Sequence, residues 1–239
     1  MHRRQILIAV LMVAAAGALA AGEGAHWTYE GSQGPEYWGI LAEEYDLCGK
    51  GVNQSPIDLV PDIDAELPDL DFDYTRPGVE EVDTGHAIQE TVFPGNYVTL
   101  LNRRYELKQF HFHSPSEHTV AGKSFPMEVH LVHQNAQGRY LVVGLLFEEG
   151  ERNEIMDMLP SFRQARGEDP YGEPIDYNTL ITDRGEYFLY NGSLTTPPCT
   201  EGVQWIVIKE PIIASPEQIQ HYHDRVGFDN NRPIQPHNS

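Results

Sequence analysis

The sequence is poor in cationic residues and in cysteine. Only 16 Lys and Arg stand against 36 Asp and Glu, a formal charge of −20. That deficit argues against a nucleic-acid partner, because phosphate binding needs a basic surface. The acidity reads as a solvated surface that maintains solubility, and it is compatible with a salty medium. No internal repeat or low-complexity linker follows the first 20 residues. Gly (21) and Pro (17) are scattered through the chain, which suits many short connections rather than a boundary between two domains. The metalloprotease signature H-E-x-x-H is missing. The longest apolar run, Ile6 to Ala21, falls short of the roughly 20 residues a spanning helix needs.

That run follows a basic MHRRQ segment and ends in Ala18-Leu19-Ala20, the small–x–small pattern of a cleavage site. Residues 1–20 are therefore predicted to be a signal peptide and 21–239 one mature domain; a retained membrane anchor is the competing reading. No cysteine lies near the cleavage site, which argues against lipid attachment there. Export predicts a secreted or periplasmic protein, and an oxidising compartment favours pairing Cys48 with Cys199. Two free buried thiols are the alternative.

Hydrophobic residues make up 40% of the chain, enough to fill a sizeable core. Strand signals recur at Ala87–Phe93, Tyr97–Leu101, Tyr105–Ser114, Met127–His133, Tyr140–Phe147, Tyr187–Tyr190 and Val203–Ile208. Helical signals are few: one over Asn153–Phe162, and a cap with proline at the first helical position at Ser215-Pro216-Glu217-Gln218. The predicted class is α+β, strand-dominated, in a single domain.

Chemistry concentrates in QFHFHSPSEH (109–118) and MEVHLVH (127–133). Residues i and i+2 of a strand share a face. Gln109, His111 and His113 therefore line one face while Phe110 and Phe112 enter the core on the other. Glu128 and His130 share a face of the second segment; His133 points the opposite way. A lone histidine is more often structural. Two strands, each with histidine beside a polar partner, point instead to a metal. Three neutral imidazoles suit Zn²⁺ with a fourth position open to water, and Gln109 and Glu128 are placed to accept the second N–H of the ligands beside them.

HFHSPSEH (111–118), EVHLVH (128–133) and SLTTPPCTEGVQW (193–205) together resemble the α-class carbonic anhydrases. HWTY (26–29), NQSPI (53–57), TGHA (84–87) and NNRPIQP (230–236) extend the match over nearly the whole mature chain, in the family's order. The short Ser-Pro-Ser interval between His113 and Glu117 is similar to that of compact bacterial members. The resemblance implies a large, twisted, mainly antiparallel central sheet of about ten strands with short peripheral helices.

It also implies roles. His111, His113 and His130 would bind zinc, with Gln109 and Glu128 behind His111 and His130. Thr195 would accept a hydrogen bond from zinc-bound hydroxide and donate its own proton to Glu117. Thr196 lies beside it at the substrate site. Val132, Val142, Leu194 and Trp205 would wall an apolar CO₂ pocket, and His86 would be the proton shuttle. Cys48 and Cys199 match the disulfide of secreted members, and cis bonds are implied at Ser55–Pro56 and Pro197–Pro198. Gln89 is placed near the mouth of the site and Tyr140 near the pocket. His118 and His133 are read as structural, His118 pairing with Glu128 or Tyr190. Tyr29 either joins a polar water network or packs, and His26, His221, His223 and His237 carry no assigned role. The expected function is zinc-dependent, reversible hydration of CO₂ to bicarbonate and a proton. The alternatives are a non-catalytic carbonic-anhydrase-like binding module and another zinc hydrolase. A homodimer is expected by resemblance alone.

Overall fold

The computed structural model describes residues 24–61, 66–75, 79–162, 177–181 and 185–236. The predicted signal peptide and His237 lie outside them. Each of the seven strands expected from the sequence is present. Among the described residues the strands are β1 (Asp58–Leu59), β2 (Asp71–Tyr74), β3 (Val79–Asp83), β4 (Ile88–Val92), β5 (Asn96–Leu100), β6 (Arg103–His113), β7 (Thr119–Val120), β8 (Lys123–Ser124), β9 (Met127–Gln134), β10 (Tyr140–Glu149), β11 (Tyr187–Ser193) and β12 (Glu201–Ala214).

Nine strands form one sheet, in the order β11-β12-β10-β9-β6-β4-β3, with β5 on β6 and β2 on β5; β1, β7 and β8 form a small second sheet. Within the large sheet β10 and β12 pair in parallel, and the other pairings are antiparallel. The expected mainly antiparallel architecture is thus found. β2 and β3 are not evident from sequence because half of DFDY and three of the five residues of VEEVD are acidic, and acidic residues disfavour strands.

β9 lies between β6 and β10, and all its residues except Gln134 are buried. On the back of the sheet, Phe110, Phe112, Leu131, Phe147 and Tyr222 belong to the largest apolar cluster. Each fully buried side chain of this size contributes roughly 1.5–3 kcal/mol, so the histidine-bearing strands are anchored from behind. Val132, Val142 and Trp205 form a second cluster, with Leu194 packed against it. Trp38, Tyr45 and the two cysteines form a third.

The helices are short: α1 (Trp38–Leu41), α2 (Leu47–Lys50), α3 (Glu154–Met158) and α4 (Pro216–Val226). Among the described residues, none is long and apolar enough to cross a membrane. α3 starts at Asn153, whose side chain accepts from Ile155 N–H. α4 starts at a capping box between Ser215 and Gln218 and ends at Gly227 in the left-handed region, φ 85°. Tyr222 of α4 donates its hydroxyl to the carbonyl of Phe112 at 2.7 Å, tying the helix to the strand that carries the histidines.

Cys48 and Cys199 form a disulfide across 151 residues, and cis bonds occur at Ser55–Pro56, Ser114–Pro115 and Pro197–Pro198. Closing so long a loop restricts the unfolded chain, by about 5 kcal/mol in the chain-entropy relation. The double variant Cys48→Ser/Cys199→Ser is expected to lose about 2–5 kcal/mol in denaturant unfolding. An unchanged unfolding midpoint would show that the crosslink is thermodynamically silent.

Candidate metal and active site

The β6–β9 register sets His111 directly opposite His130, and His113 opposite Glu128. The three histidines converge, with ring centroids 5.0 Å apart for His111–His113, 5.5 Å for His111–His130 and 4.5 Å for His113–His130. One nitrogen from each lies within 4.8 Å of the others, a grouping that can hold a metal ion.

Each ring has its other nitrogen committed. His111 Nδ1–H donates to Gln109 Oε1 at 2.8 Å. His113 Nδ1–H donates to the backbone carbonyl of Asn230 at 2.6 Å. His130 Nε2–H donates to Glu128 Oε1 at 2.8 Å. Those bonds leave Nε2, Nε2 and Nδ1 as lone-pair donors facing one another. His113 Nε2 is buried with no hydrogen-bond partner among the described residues, an arrangement costly in a purely structural cluster. Burial, together with the neighbouring imidazoles, holds His111 well below its ordinary pKa. Burial also lowers His113, against the opposing pull of Glu117. Both are therefore neutral near pH 7, the form that ligates. For His130, burial is outweighed by the Glu128 carboxylate, and its pKa rises.

Glu128 accepts from four groups. Besides His130, its Oε1 takes His118 Nδ1–H at 2.7 Å, and its Oε2 takes the N–H of Glu117 and of His118 at 3.0 and 2.9 Å. Burial opposes ionisation, but His118 and His130 hold the carboxyl well below its usual range. Gly144, paired with His130, makes room for it: a Cβ there would stand 2.9 Å from Glu128 Oε1. His118 Nε2 meets Tyr190 Oη at 2.7 Å, so His118 is tied to both partners named for it. The neighbouring group His118, Glu128 and His130 is thereby accounted for by hydrogen bonds.

Glu117 is held by one oxygen: Arg232 N–H donates to its Oε1 at 2.8 Å. The other, Oε2, is buried without a hydrogen-bond partner among the described residues and lies 3.5 Å from His113 Nε2 and 3.8 Å from His130 Nδ1. Thr195, 5% exposed, sits in a turn closed by Leu194 N–H to Thr200 O and Cys199 N–H to Thr196 O. The disulfide joins this turn to α2.

A cavity of about 220 Å³ opens over His111 and His113, lined also by Thr196, Gln89, Tyr29 and His86. Val132, Val142, Trp205 and Leu194 share one apolar cluster, with Tyr140 packed against it. His86 is half-buried; its ring stacks on Trp27 at 3.6 Å and its Nε2 donates to Trp27 O at 2.9 Å. Tyr29 packs edge-on against Trp27 and Trp38. Two site residues had no individual assignment from sequence: Asn230, whose contribution is a backbone carbonyl, and Arg232. Both lie in the NNRPIQP stretch, the one signal that could have found them.

A strand-built, three-histidine centre on a large curled sheet defines a metalloenzyme class. The chain belongs to the eukaryotic-type (α-class) carbonic anhydrase family, whose model matches residues 33–239. Members of that family reversibly hydrate CO₂ to bicarbonate. The chain is 41% identical to a carbonic anhydrase of Neisseria gonorrhoeae over 98% of its length and 94% of that protein. It is 43% identical to the α-carbonic anhydrase of Thermovibrio ammonificans solved with the inhibitor sulfanilamide, at TM-score 0.83, covering 89% of this chain and 96% of that one. A hyperthermostable carbonic anhydrase from a hydrothermal vent chimney aligns with TM-score 0.83 and 42% identity over 88% and 96% of the two chains.

His133 lies on the far side of β9. Tyr74 Oη meets its Nε2 at 2.6 Å and its Nδ1–H donates to Leu141 O. Burial pushes its pKa down to about 3, whereas an unfolded histidine protonates near 6.5. The resulting contribution is complete above pH 6.5 and is lost as pH falls toward 3. Between pH 6.5 and 5 it should withdraw about 2 kcal/mol of stability. His133→Gln should flatten that part of the acid limb in pH-dependent unfolding; an unaltered limb would assign it to other groups.

Proposed function

We propose that the chain hydrates CO₂ reversibly at a zinc ion held by His111 Nε2, His113 Nε2 and His130 Nδ1. The observation that carries this reading is the unpartnered, buried Nε2 of His113, aimed at the lone pairs of two neighbouring imidazoles whose other nitrogens are already engaged. An all-imidazole donor set with one position left open fits zinc in a catalytic role. Zinc, when bound, supplies a Lewis acid that brings the pKa of a water to about 7, a value known for carbonic anhydrase itself and carried over to this chain.

The residues of the chain do the rest. Gln109, Glu128 and the Asn230 carbonyl fix ring orientation and tautomer. Thr195 would donate its hydroxyl proton to Glu117 Oε2, an acceptor that has no hydrogen-bond partner among the described residues. Its oxygen is then left to accept from the attacking oxygen and orient it. Val132, Val142, Leu194 and Trp205 exclude water from the seat of CO₂, and Thr196 borders it. His86 carries the product proton toward solvent, because its half-buried ring lines the same cavity as His111 and His113 and imidazole is the commonest proton-transfer group in catalysis. The disulfide supports export, because such bonds persist in oxidising compartments. The mature chain, starting at residue 21, is read as periplasmic and homodimeric; N-terminal sequencing, cell fractionation and sedimentation test those three points.

Purified protein is expected to hold one zinc per chain, and His111→Ala to lose both zinc and CO₂ hydration in metal analysis and stopped flow. Full hydration by a metal-free His111→Ala protein would end this reading. His86→Ala should slow turnover about 100-fold at low buffer, the lower end of the range for general acid–base groups, with imidazole restoring the rate. A defect indifferent to buffer would remove His86 from proton transfer.

A further inference from the structure

Arg232 is one of the largest fully buried side chains, 1% exposed. Its guanidinium makes no ion pair among the described residues. Nη1 donates to Gln54 Oε1 at 2.9 Å and to Ser55 O at 2.8 Å, and Nη2 donates to Cys48 O at 3.0 Å. The group sits 5.7 Å above the Trp38 ring. Burial pulls its pKa down to about 10 and the field of Glu117 pushes it back up, so it is cationic at neutral pH. A cation held in the interior largely by neutral acceptors is a costly way to fill space; an apolar side chain would pack there without that cost.

The main chain around it explains what the cost supports. The N–H of Arg232 holds Glu117 Oε1. Two residues earlier, the carbonyl of Asn230 holds His113 Nδ1, and the Asn230 side chain accepts from Ser114 N–H and donates to Phe112 O. One short backbone stretch therefore orients both a candidate ligand and the carboxylate behind Thr195. Arg232 is the side chain that fastens this stretch to Cys48, at the disulfide, and to the Gln54–Ser55 segment.

We propose that Arg232 is a positioning residue of the metal site: its guanidinium pins the 230–232 backbone, so that Asn230 O holds His113 and Arg232 N–H holds Glu117. It touches neither metal nor substrate. The proposal rests on the roles assigned above to His113 and Glu117. Lysine at this position keeps the charge, but one ammonium cannot reproduce the planar fork that reaches Gln54, Ser55 and Cys48 together.

The test compares Arg232→Lys, Glu117→Gln and the double variant. Chelator-driven zinc loss is followed spectroscopically, and kcat/KM for CO₂ is measured on zinc-loaded, folded protein. Arg232→Lys is expected to lose zinc about tenfold faster and to lower kcat/KM about tenfold, at the lower end of effects for groups that orient ligands. In the Glu117→Gln background the same change should lower kcat/KM less than about twofold, because the two act as one unit. A purely structural arginine would lower the melting temperature yet leave both zinc loss and kcat/KM near parental values, and that result overturns the proposal. So does an equal fall in kcat/KM in both backgrounds. If Glu117→Gln alone leaves kcat/KM unchanged, the role of Glu117 fails instead, and with it the activity half of this inference. Should Arg232→Lys not fold, Gln54→Met removes one acceptor of the same guanidinium and is judged by the same two measurements.

Discussion

Glu128 is a carboxylate withdrawn from water and surrounded by donors: two imidazole N–H groups and two backbone N–H groups. A buried carboxylate is tolerated only when such bonds replace its hydration. Satisfying it requires β9 to carry it inward, the 117–118 backbone to turn over it, and Gly144 to leave space beside it. Those same requirements rotate His130 so that Nδ1 faces the other two histidines. They also place the carboxyl of Glu117 near the triad. Site geometry is thus largely a consequence of finding four partners for one anion.

The remaining pieces reach the site from distant parts of the chain. His111 and His113 come from β6, Thr195 from the turn before β12, His86 from the segment before β4, and Asn230 and Arg232 from the stretch after α4. The sheet, the disulfide and long-range hydrogen bonds such as those of Arg232 and Asn230 span those separations. The β6–β9 register fixes the two histidine-bearing strands to each other, because a one-residue slip of either would turn its histidines toward the apolar cluster behind them. The disulfide acts at the edge of the site, where no strand pairing holds the Thr195 turn to the N-terminal helices.

The three histidines were legible in the sequence because the pleat has a period of two. QFHFH and EVH place polar groups on one face and phenylalanine or valine on the other, and the same rule turned His133 away. Cap chemistry at Ser215 was legible for a similar reason, since Ser-Pro-Glu-Gln is specific to a helix start. Asn230 was not, because what it offers is a peptide carbonyl that any residue could present. Nor was the Trp27–His86 stack, in which two aromatic residues 59 positions apart meet through tertiary packing. β2 and β3 were hidden by acidic residues; pairing with β5 and β4 overrides their local preference.

Charge balance inside the site connects these observations. The buried set holds two carboxylates, Glu117 and Glu128, and one guanidinium, Arg232. Counting those three groups alone, negative charge exceeds positive by one, and, against burial, the pull of Glu128 on His130 raises the pKa of that imidazole. Glu128 spreads its charge over four donors, so the uncompensated part lies mainly on Glu117 Oε2, the oxygen without a partner among the described residues. It faces the point where the free lone pairs of His111, His113 and His130 meet. A cation there supplies the missing positive charge and gives three lone pairs an acceptor, removing two penalties at once. The acidic exterior has no part in that balance: most of its charges are exposed and screened within about 10 Å by salt, whereas the buried set is not.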